Sequence, residues 1–409
     1  MAVALADLDG RCLATLGVLV GRSFRAVCRA FCEARDSASG GRSSVMFRPS
    51  FEALEELAKD LGMDVKRQDH RLWPSAKSAI LSALGNYLSV SGRVLKRLTW
   101  RNGLAEMGTP FSGRRLLGPE DTPRVFEEIS ETADIEFLCL DLCGASMISA
   151  AALSVSTWTQ LRSLELLSCS VDEAVWESLK ALPQLERFAF FGSSSTQLPL
   201  PDLWPFSGRL RELSLAPTAP GGNQTDIWRQ LIHTTCLHAL HVIAVDTRCI
   251  AKSLAAARSS LSMRVLSLSP KCGSSSLMDP LQAAGLLIDD DMDALLTILA
   301  PSLEVLLLNG QQKLSPKMLP KLSTCNRLRM LGLNGCSGLS SRAAAEILLS
   351  DNAKLLPPAL ELLEIPDPGW DGFCLRPDLQ ILTSADSKSS TGSAGLHVCA
   401  GRPICSLVD

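Results

Sequence analysis

The phrase L-x-x-L-x-L-x-x-C returns along this chain, as Leu161-Leu164-Leu166-Cys169, Leu328-Leu331-Leu333-Cys336 and, with an isoleucine opening, Ile135-Leu138-Leu140-Cys143. Alternation of apolar residues at its fourth and sixth positions describes a short strand that buries one face. Degenerate copies centre on Phe188, Leu213, Leu240, Leu266, Leu306 and Leu363, with an outlying one at Leu98. From Leu138 to Leu266 the steps between centres are 26, 24, 25, 27 and 26 residues. A unit of that length cannot bury its apolar face alone, so successive units have to stack.

Between the strand phrases lie VDEAVWESLKAL, TDIWRQLIHTT, IAKSLAAARSS, DDMDALLTILA and SRAAAEILLSD. Their apolar residues recur at three- and four-residue steps, the pattern of an amphipathic helix. Each coil therefore reads strand, turn, helix, turn. Longer intervals of 40 (Leu98 to Leu138), 40 (Leu266 to Leu306) and 32 residues (Leu331 to Leu363) carry Gly-, Pro- and Ser-rich insertions such as Gly108 to Pro123 and Cys272 to Pro280. Insertions of that composition belong on loops.

Phrase and spacing together resemble the leucine-rich repeat of the ribonuclease-inhibitor-like and cysteine-containing classes. The resemblance implies an α/β fold: a right-handed solenoid, or horseshoe, with a parallel concave sheet and helices on the convex side. A small helical N-terminal module precedes it. We divide the chain into a helical module (1–50), the repeat domain with N-terminal capping helices (51–370) and a flexible C-terminal tail (371–409). Residues 51–61 and 75–88 are the expected caps. The Ser-, Gly-, Ala- and Lys-rich stretch from Thr383 to Gly395 is what marks the tail.

Net charge is −3, which gives no basic footprint and argues against nucleic-acid binding. The 14 cysteines form no C-x-x-C pair, and several fill the slot that ends the strand phrase, where a small apolar thiol packs well. Buried free thiols point to a reducing compartment, cytoplasmic or nuclear. No apolar run reaches the roughly 18 residues of a membrane span. Residues 12–20 imitate a signal-peptide core, but Asp7 and Asp9 precede them where positive charge is needed.

Residues 5–37 do not fit the repeat. Leu5, Leu8, Leu13, Leu16 and Leu19 are spaced for helical packing, and Arg22 to Arg35 form a basic amphipathic stretch. The run Val27-Cys28-Arg29-Ala30-Phe31 resembles the closing part of an F-box. That resemblance implies docking on a Skp-type adaptor through residues 5–37, with Leu5, Leu13, Val27, Cys28, Arg29 and Phe31 as contacts. An F-box followed by leucine-rich repeats is the layout of substrate-recognition subunits in cullin-type ubiquitin ligases. The open alternative is a helical cap on a freestanding scaffold or inhibitor, similar to ribonuclease inhibitor, with no ubiquitin role.

Catalytic signatures are missing from the sequence: it holds no phosphate-binding loop, no H-E-x-x-H and no G-x-S-x-G elbow. We expect no enzyme and no cofactor. His233, Cys236, His238 and His241 are close in sequence, yet their places at a helix end and within one strand make their side chains diverge. No metal site is expected there. Asp289, Asp290, Asp291 and Asp293 precede a helix and suit N-capping. Trp176, Trp204 and Trp228, spaced close to the repeat, are expected to pack on the convex side.

Positions 1, 4 and 6 of the phrase point inward, so positions 3, 5 and 7 face the concave surface. Val265, Val305, Leu307, Met330 and Leu362 then form an apolar column, and Phe191 belongs to a smaller patch with Arg187 and Glu212 beside it. With His241, these nine residues are the expected contacts of a protein client. The competing expectation is that the tail, at Leu396 to Val398, covers the column.

Overall fold

The computed structural model describes residues 44–47, 96–101, 135–141, 147–148, 158–171, 179, 182–192, 208–216, 236–244, 246–256, 262–270, 284–339, 356–365 and 380–383; the chain divides into two compact units, Met1–Pro199 and Leu200–Asp409. The boundary falls inside the span that the repeat pattern treats as one domain. The F-box-like run, the caps at 51–61 and 75–88, Trp176, Trp204, Trp228, His233 and Leu396 to Val398 lie outside the described residues.

The first unit holds β1 (Ser44–Phe47), β2 (Arg97–Arg101), β3 (Phe137–Asp141), β4 (Met147–Ile148), β5 (Ser163–Val171) and β6 (Arg187–Gly192). Its ladder runs β1-β2-β3-β5-β6, and β4 pairs beside it on the far end of β5. The second unit holds β7 (Glu212–Ala216), β8 (Ala239–Ala244), β9 (Val265–Pro270), β10 (Val305–Leu307), β11 (Met330–Gly332), β12 (Leu362–Ile365) and β13 (Gln380–Thr383), laddered in that order. Pairing is parallel in both units. Parallel neighbours in chain order require a return after every strand, which is how a leucine-rich-repeat solenoid is built.

Register follows the repeat phrase. Leu98, Leu138, Leu164 and Phe188 lie side by side in the first unit; Leu213, Leu240, Leu266, Leu306, Leu331 and Leu363 do so in the second. All are buried, as are the first-position residues Ile135, Leu161, Leu185, Leu210, Leu237, Met263, Leu303, Leu328 and Leu360. A one-residue slip would turn this whole apolar set to solvent, so the core itself holds the register.

Each ladder is one strand longer than the phrase count. Val45 pairs with Leu98, and Ile381 pairs with Leu363. Thus Ser44–Phe47 is a strand inside the span assigned to a helical module, and Gln380–Thr383 is a strand inside the assigned tail. Both copies escape the pattern because Arg42 and Asp378 stand where the phrase opens with an aliphatic residue.

Two return helices are described, α1 (Thr247–Ala256) and α2 (Asp289–Leu299), packed against each other. Asp246 opens α1 by accepting the Cys249 N–H through Oδ1 at 2.8 Å, and Ile250, Ala251 and Leu254 form its buried face. In α2 the buried face is Met292, Leu295, Leu296 and Leu299. The return after β10 is a 3-10 helix, Pro316–Thr324, not the α-helix that the repeat length suggests. Pro320 sits inside it and has no N–H for an α-helical ladder.

Two adjacent turns use the same dipeptide. Asn309-Gly310 and Asn334-Gly335 follow β10 and β11, with Gly310 at φ 79° and Gly335 at φ 73°. These left-handed conformations suit glycine, and the two turns stack through a 2.6 Å hydrogen bond from the Gly310 N–H to the Asn334 carbonyl.

Behind this turn Gln311, fully buried, ties three segments together. Its Oε1 accepts from the Leu287 N–H at 3.0 Å and the Thr247 hydroxyl at 3.2 Å, and its Nε2 donates to the Leu268 carbonyl at 3.0 Å. Gln311 occupies the ninth position of its phrase, where the next coil has Cys336. The Cys336 thiol donates to the Leu308 carbonyl at 2.9 Å.

Candidate protein-interaction face

The strand phrase makes the face. With positions 4 and 6 turned into the core, positions 3, 5 and 7 project from the other side of each ladder. β7 shows this plainly: Leu213 and Leu215 are buried, while Glu212, Ser214 and Ala216 are half-buried.

In the first unit, Arg97, Phe137, Ser163 and Arg187 stand in register at position 3. The Arg97 guanidinium lies over the Phe137 ring, 4.7 Å from its centroid. Arg187 is exposed, and Phe191 and Leu167 are half-buried neighbours at position 7. Arg187 and Phe191 are therefore where the phrase puts them, on an accessible face.

In the second unit, Glu212, Ala239, Val265, Val305, Met330 and Leu362 stand in register at position 3. The expected apolar column exists as a row, but not as an exposed one. Val265 is 3% exposed, Val305 2% and Leu307 7%; with Ala239 they form one cluster, against which Met330 packs.

The physical reason is lateral. In-register strands are about 4.8 Å apart, so neighbouring β-branched side chains pack on each other. Leu307 has a further device: a Cβ at Gly332 would stand 2.7 Å from the Leu307 Cδ2, so the missing side chain gives Leu307 room to lie down. Met330, Leu362, Glu212 and His241 stay half-buried and remain accessible. Burial pushes the His241 imidazole down to about 4, so it is neutral at physiological pH.

The His/Cys group does not converge among the described residues: Cys236 Sγ meets the Gly208 carbonyl at 3.4 Å, while His238 and His241 sit at positions 2 and 5 of one strand phrase. Among the described residues no group of three or more His, Cys, Asp or Glu is arranged to hold a metal. The acidic run does more than cap its own helix. Asp291 accepts from the Ile288 N–H at 3.2 Å and pairs with Arg248 at 2.9 Å. Asp289 reaches to the next return, accepting the Ser315 N–H at 2.8 Å and its hydroxyl, and Asp293 pairs with Lys321 at 2.6 Å.

One row escaped the phrase-based reading. Position 2, just before each strand, carries Lys96, Glu136, Arg162 and Glu186 in the first unit, and Arg211, His238, Arg264, Glu304, Arg329 and Glu361 in the second. Within each unit, the carbonyl of one row member accepts from two successive N–H groups of the next coil, as Arg264 does from Glu304 (2.8 Å) and Val305 (3.0 Å). The side chains pair along the row: Lys96 with Glu136 at 3.4 Å, Arg264 with Glu304 and Arg329 with Glu361. Arg329 holds the Glu361 carboxyl below its usual range by hydrogen bonding. The alternation of sign is legible in the sequence, one residue before the first position that faces outward.

No protein-family model and no curated protein sequence matches the chain. Among solved structures it is similar to a chain of the Rad7 and Elc1 complex from yeast, at 15% identity over 82% of this chain and 92% of that one, with a TM-score of 0.39. It is also similar to an internalin (InlF) of Listeria monocytogenes, at 15% identity over 64% and 67% of the two chains, with a TM-score of 0.32. The repeats are leucine-rich repeats by their own geometry: parallel strands in chain order, joined in register through the Leu at position 4.

Proposed function

We propose that this protein is a non-enzymatic interaction scaffold whose sheet faces, each within its own unit, receive protein clients. The observation that carries this reading is the accessibility of mixed charged, aromatic and aliphatic side chains at positions 3, 5 and 7, including Arg187, Phe191, Glu212, Met330 and Leu362. Each unit has its own mixture, Arg187 and Phe191 in the first and Glu212, Met330 and Leu362 in the second, and protein recognition uses such mixtures: apolar contacts for affinity, charges for orientation. Specificity then comes from the face, with no bond chemistry by this chain, in a reducing compartment of the cell.

The finer reading is a substrate receptor of a cullin-type ligase, with Val27, Cys28, Arg29 and Phe31 contributing to the adaptor contact. Its support is the sequence run alone. Pull-down of a Skp-type adaptor by the full chain, lost on deletion of residues 1–40, supports it; retention by the deletion removes it. Proximity labelling compared between wild type, Phe191→Asp and Leu362→Asp tests the scaffold reading. Clients that persist in both variants overturn it. Val305→Asp is unsuited to that test, because a buried charge there attacks the core instead of the face.

A further inference from the structure

Strands β2 and β3 meet through two adjacent rows of opposite character. At position 2 the pairing is ionic, with Lys96 Nζ 3.4 Å from Glu136 Oε1. One residue further on, at position 3, Arg97 stands in register with Phe137, and its guanidinium carbon lies 4.7 Å from the centroid of the ring. The first row turns a cation toward an acid; the second turns one toward an aromatic face.

The two arrangements differ in what becomes of the charge. A carboxylate neutralises its cation, whereas an aromatic ring fixes the position of a guanidinium without neutralising it or filling its N–H fork. Among the described residues no ion pair and no hydrogen bond engages the Arg97 guanidinium. Arg97 is exposed and Phe137 half-buried. The residues beside Arg97 on the same side of the ladder carry no acid: Ser44 and Met46 on β1, Thr99 on β2, Phe137 and Cys139 on β3. Asp141 and Glu165, the acids of this face, stand at positions 7 and 5, one and two strands across. Those register positions are roughly 10 Å or more from Arg97.

We propose that Arg97, steadied by Phe137, anchors an Asp or Glu side chain in an extended segment of a protein client of the first unit. The inference rests on the scaffold reading and adds the chemistry of the partner. A carboxylate from outside completes at position 3 the pairing that Glu136 supplies from within at position 2, through the two parallel N–H···O bonds that a guanidinium fork can give. Asp141 and Glu165 set its place, because they repel an acid at their end of the face and leave the Arg97 end to receive it.

The test uses the full chain and an array of octapeptides of randomised sequence, each attached to its support through the C-terminus, so that side chains alone present carboxylates. Peptides containing Asp or Glu should hold the wild-type chain at least about threefold more strongly than their Asn or Gln counterparts, and the difference should shrink as salt rises. Arg97→Gln should abolish the difference. Arg97→Glu should turn the preference to Lys and Arg, a reversal that lost stability alone does not produce. Arg162→Gln, which removes an exposed cation at position 2 of the same unit, should leave the acidic preference intact.

Binding to no peptide, an equal response to acidic and neutral peptides, or an acidic preference that survives in Arg97→Gln overturns the proposal. Proximity labelling separates its failure from that of the scaffold reading. Clients lost in Phe191→Asp but unchanged in Arg97→Glu leave the scaffold reading standing and remove the acidic anchor.

Discussion

The guanidinium of Arg264 meets the Glu304 carboxylate through two parallel hydrogen bonds, Nε–Oε1 at 2.7 Å and Nη2–Oε2 at 2.9 Å, across neighbouring coils 40 residues apart. The Arg side chain is 43% exposed and the Glu 14%, so the pair is at the rim of the ladder and not in its core. Removing it with Arg264→Ala should cost about 1 kcal/mol, read as a lower urea midpoint, because the fork geometry places it at the upper end of exposed pairs. Glu304→Arg should cost more, since it sets three cations in succession at 264, 304 and 329. The double exchange Arg264→Glu/Glu304→Arg should recover part of the loss.

Gln311 is a sharper dependency. Truncation to Ala leaves the Leu287 N–H, the Thr247 hydroxyl and the Leu268 carbonyl without this partner in a buried site. A loss of about 3 kcal/mol is expected in equilibrium unfolding. The Leu287 amide should lose hydrogen-exchange protection before the ladder amides do.

Glycines in the second unit differ in why they are needed. At Gly310 an added Cβ meets Pro270 Cγ at 2.9 Å, and φ is 79°. At Gly338 the obstacle is backbone, the Leu314 carbonyl oxygen at 2.3 Å. Gly310→Ala should cost about 2 kcal/mol, and Gly338→Ala more, because a carbonyl in a packed coil cannot rotate aside as a ring carbon shifts. Thermal unfolding of the two variants side by side checks the order.

His241 gives the fold an acid-side dependence. Burial lowers its folded pKa to about 4 from the ordinary 6.5, so between those values the unfolded chain binds more protons than the folded one. Its contribution is present in full above about pH 6.5 and is lost as pH falls toward 4, a change on the order of 2 kcal/mol after allowing for partial exposure. His241→Gln should flatten the stability profile over that window. An unchanged slope would assign the acid sensitivity to other groups.

The thiols dependably report on packing. Burial pushes Cys169 and Cys336 up to about 12 and Cys325 up to about 11, with the Asp141 charge adding to the rise at Cys169. At pH 8 these three should resist maleimide in the native protein and react on unfolding, followed by mass spectrometry. Above about pH 9 the unfolded thiols ionise first, so stability should decline with further alkalinity.

Much of the ladder was legible because its physics is local. A strand that buries positions 1, 4 and 6 needs Leu-like residues there, and Leu138, Leu164 and Leu331 announce themselves. β1 and β13 were illegible for the converse reason: Arg42 and Asp378 break the opening of the phrase, and only pairing with β2 and β12 shows the strands. The face was half legible. Its positions follow from alternation, but the burial of Val265, Val305 and Leu307 depends on which side chains stand beside them, and on the space left by Gly332.

By itself, then, the sequence determined the repeat unit, the inward residues and the parallel order of strands, since a 24–27-residue period of one apolar face permits little else. Tertiary structure alone decided what happens between coils. Contacts such as Gln311 to Leu268, Asp289 to Ser315 and Arg264 to Glu304 join residues 26 to 43 positions apart. No periodicity within one coil specifies such contacts, because their geometry exists only once neighbouring coils are stacked in register.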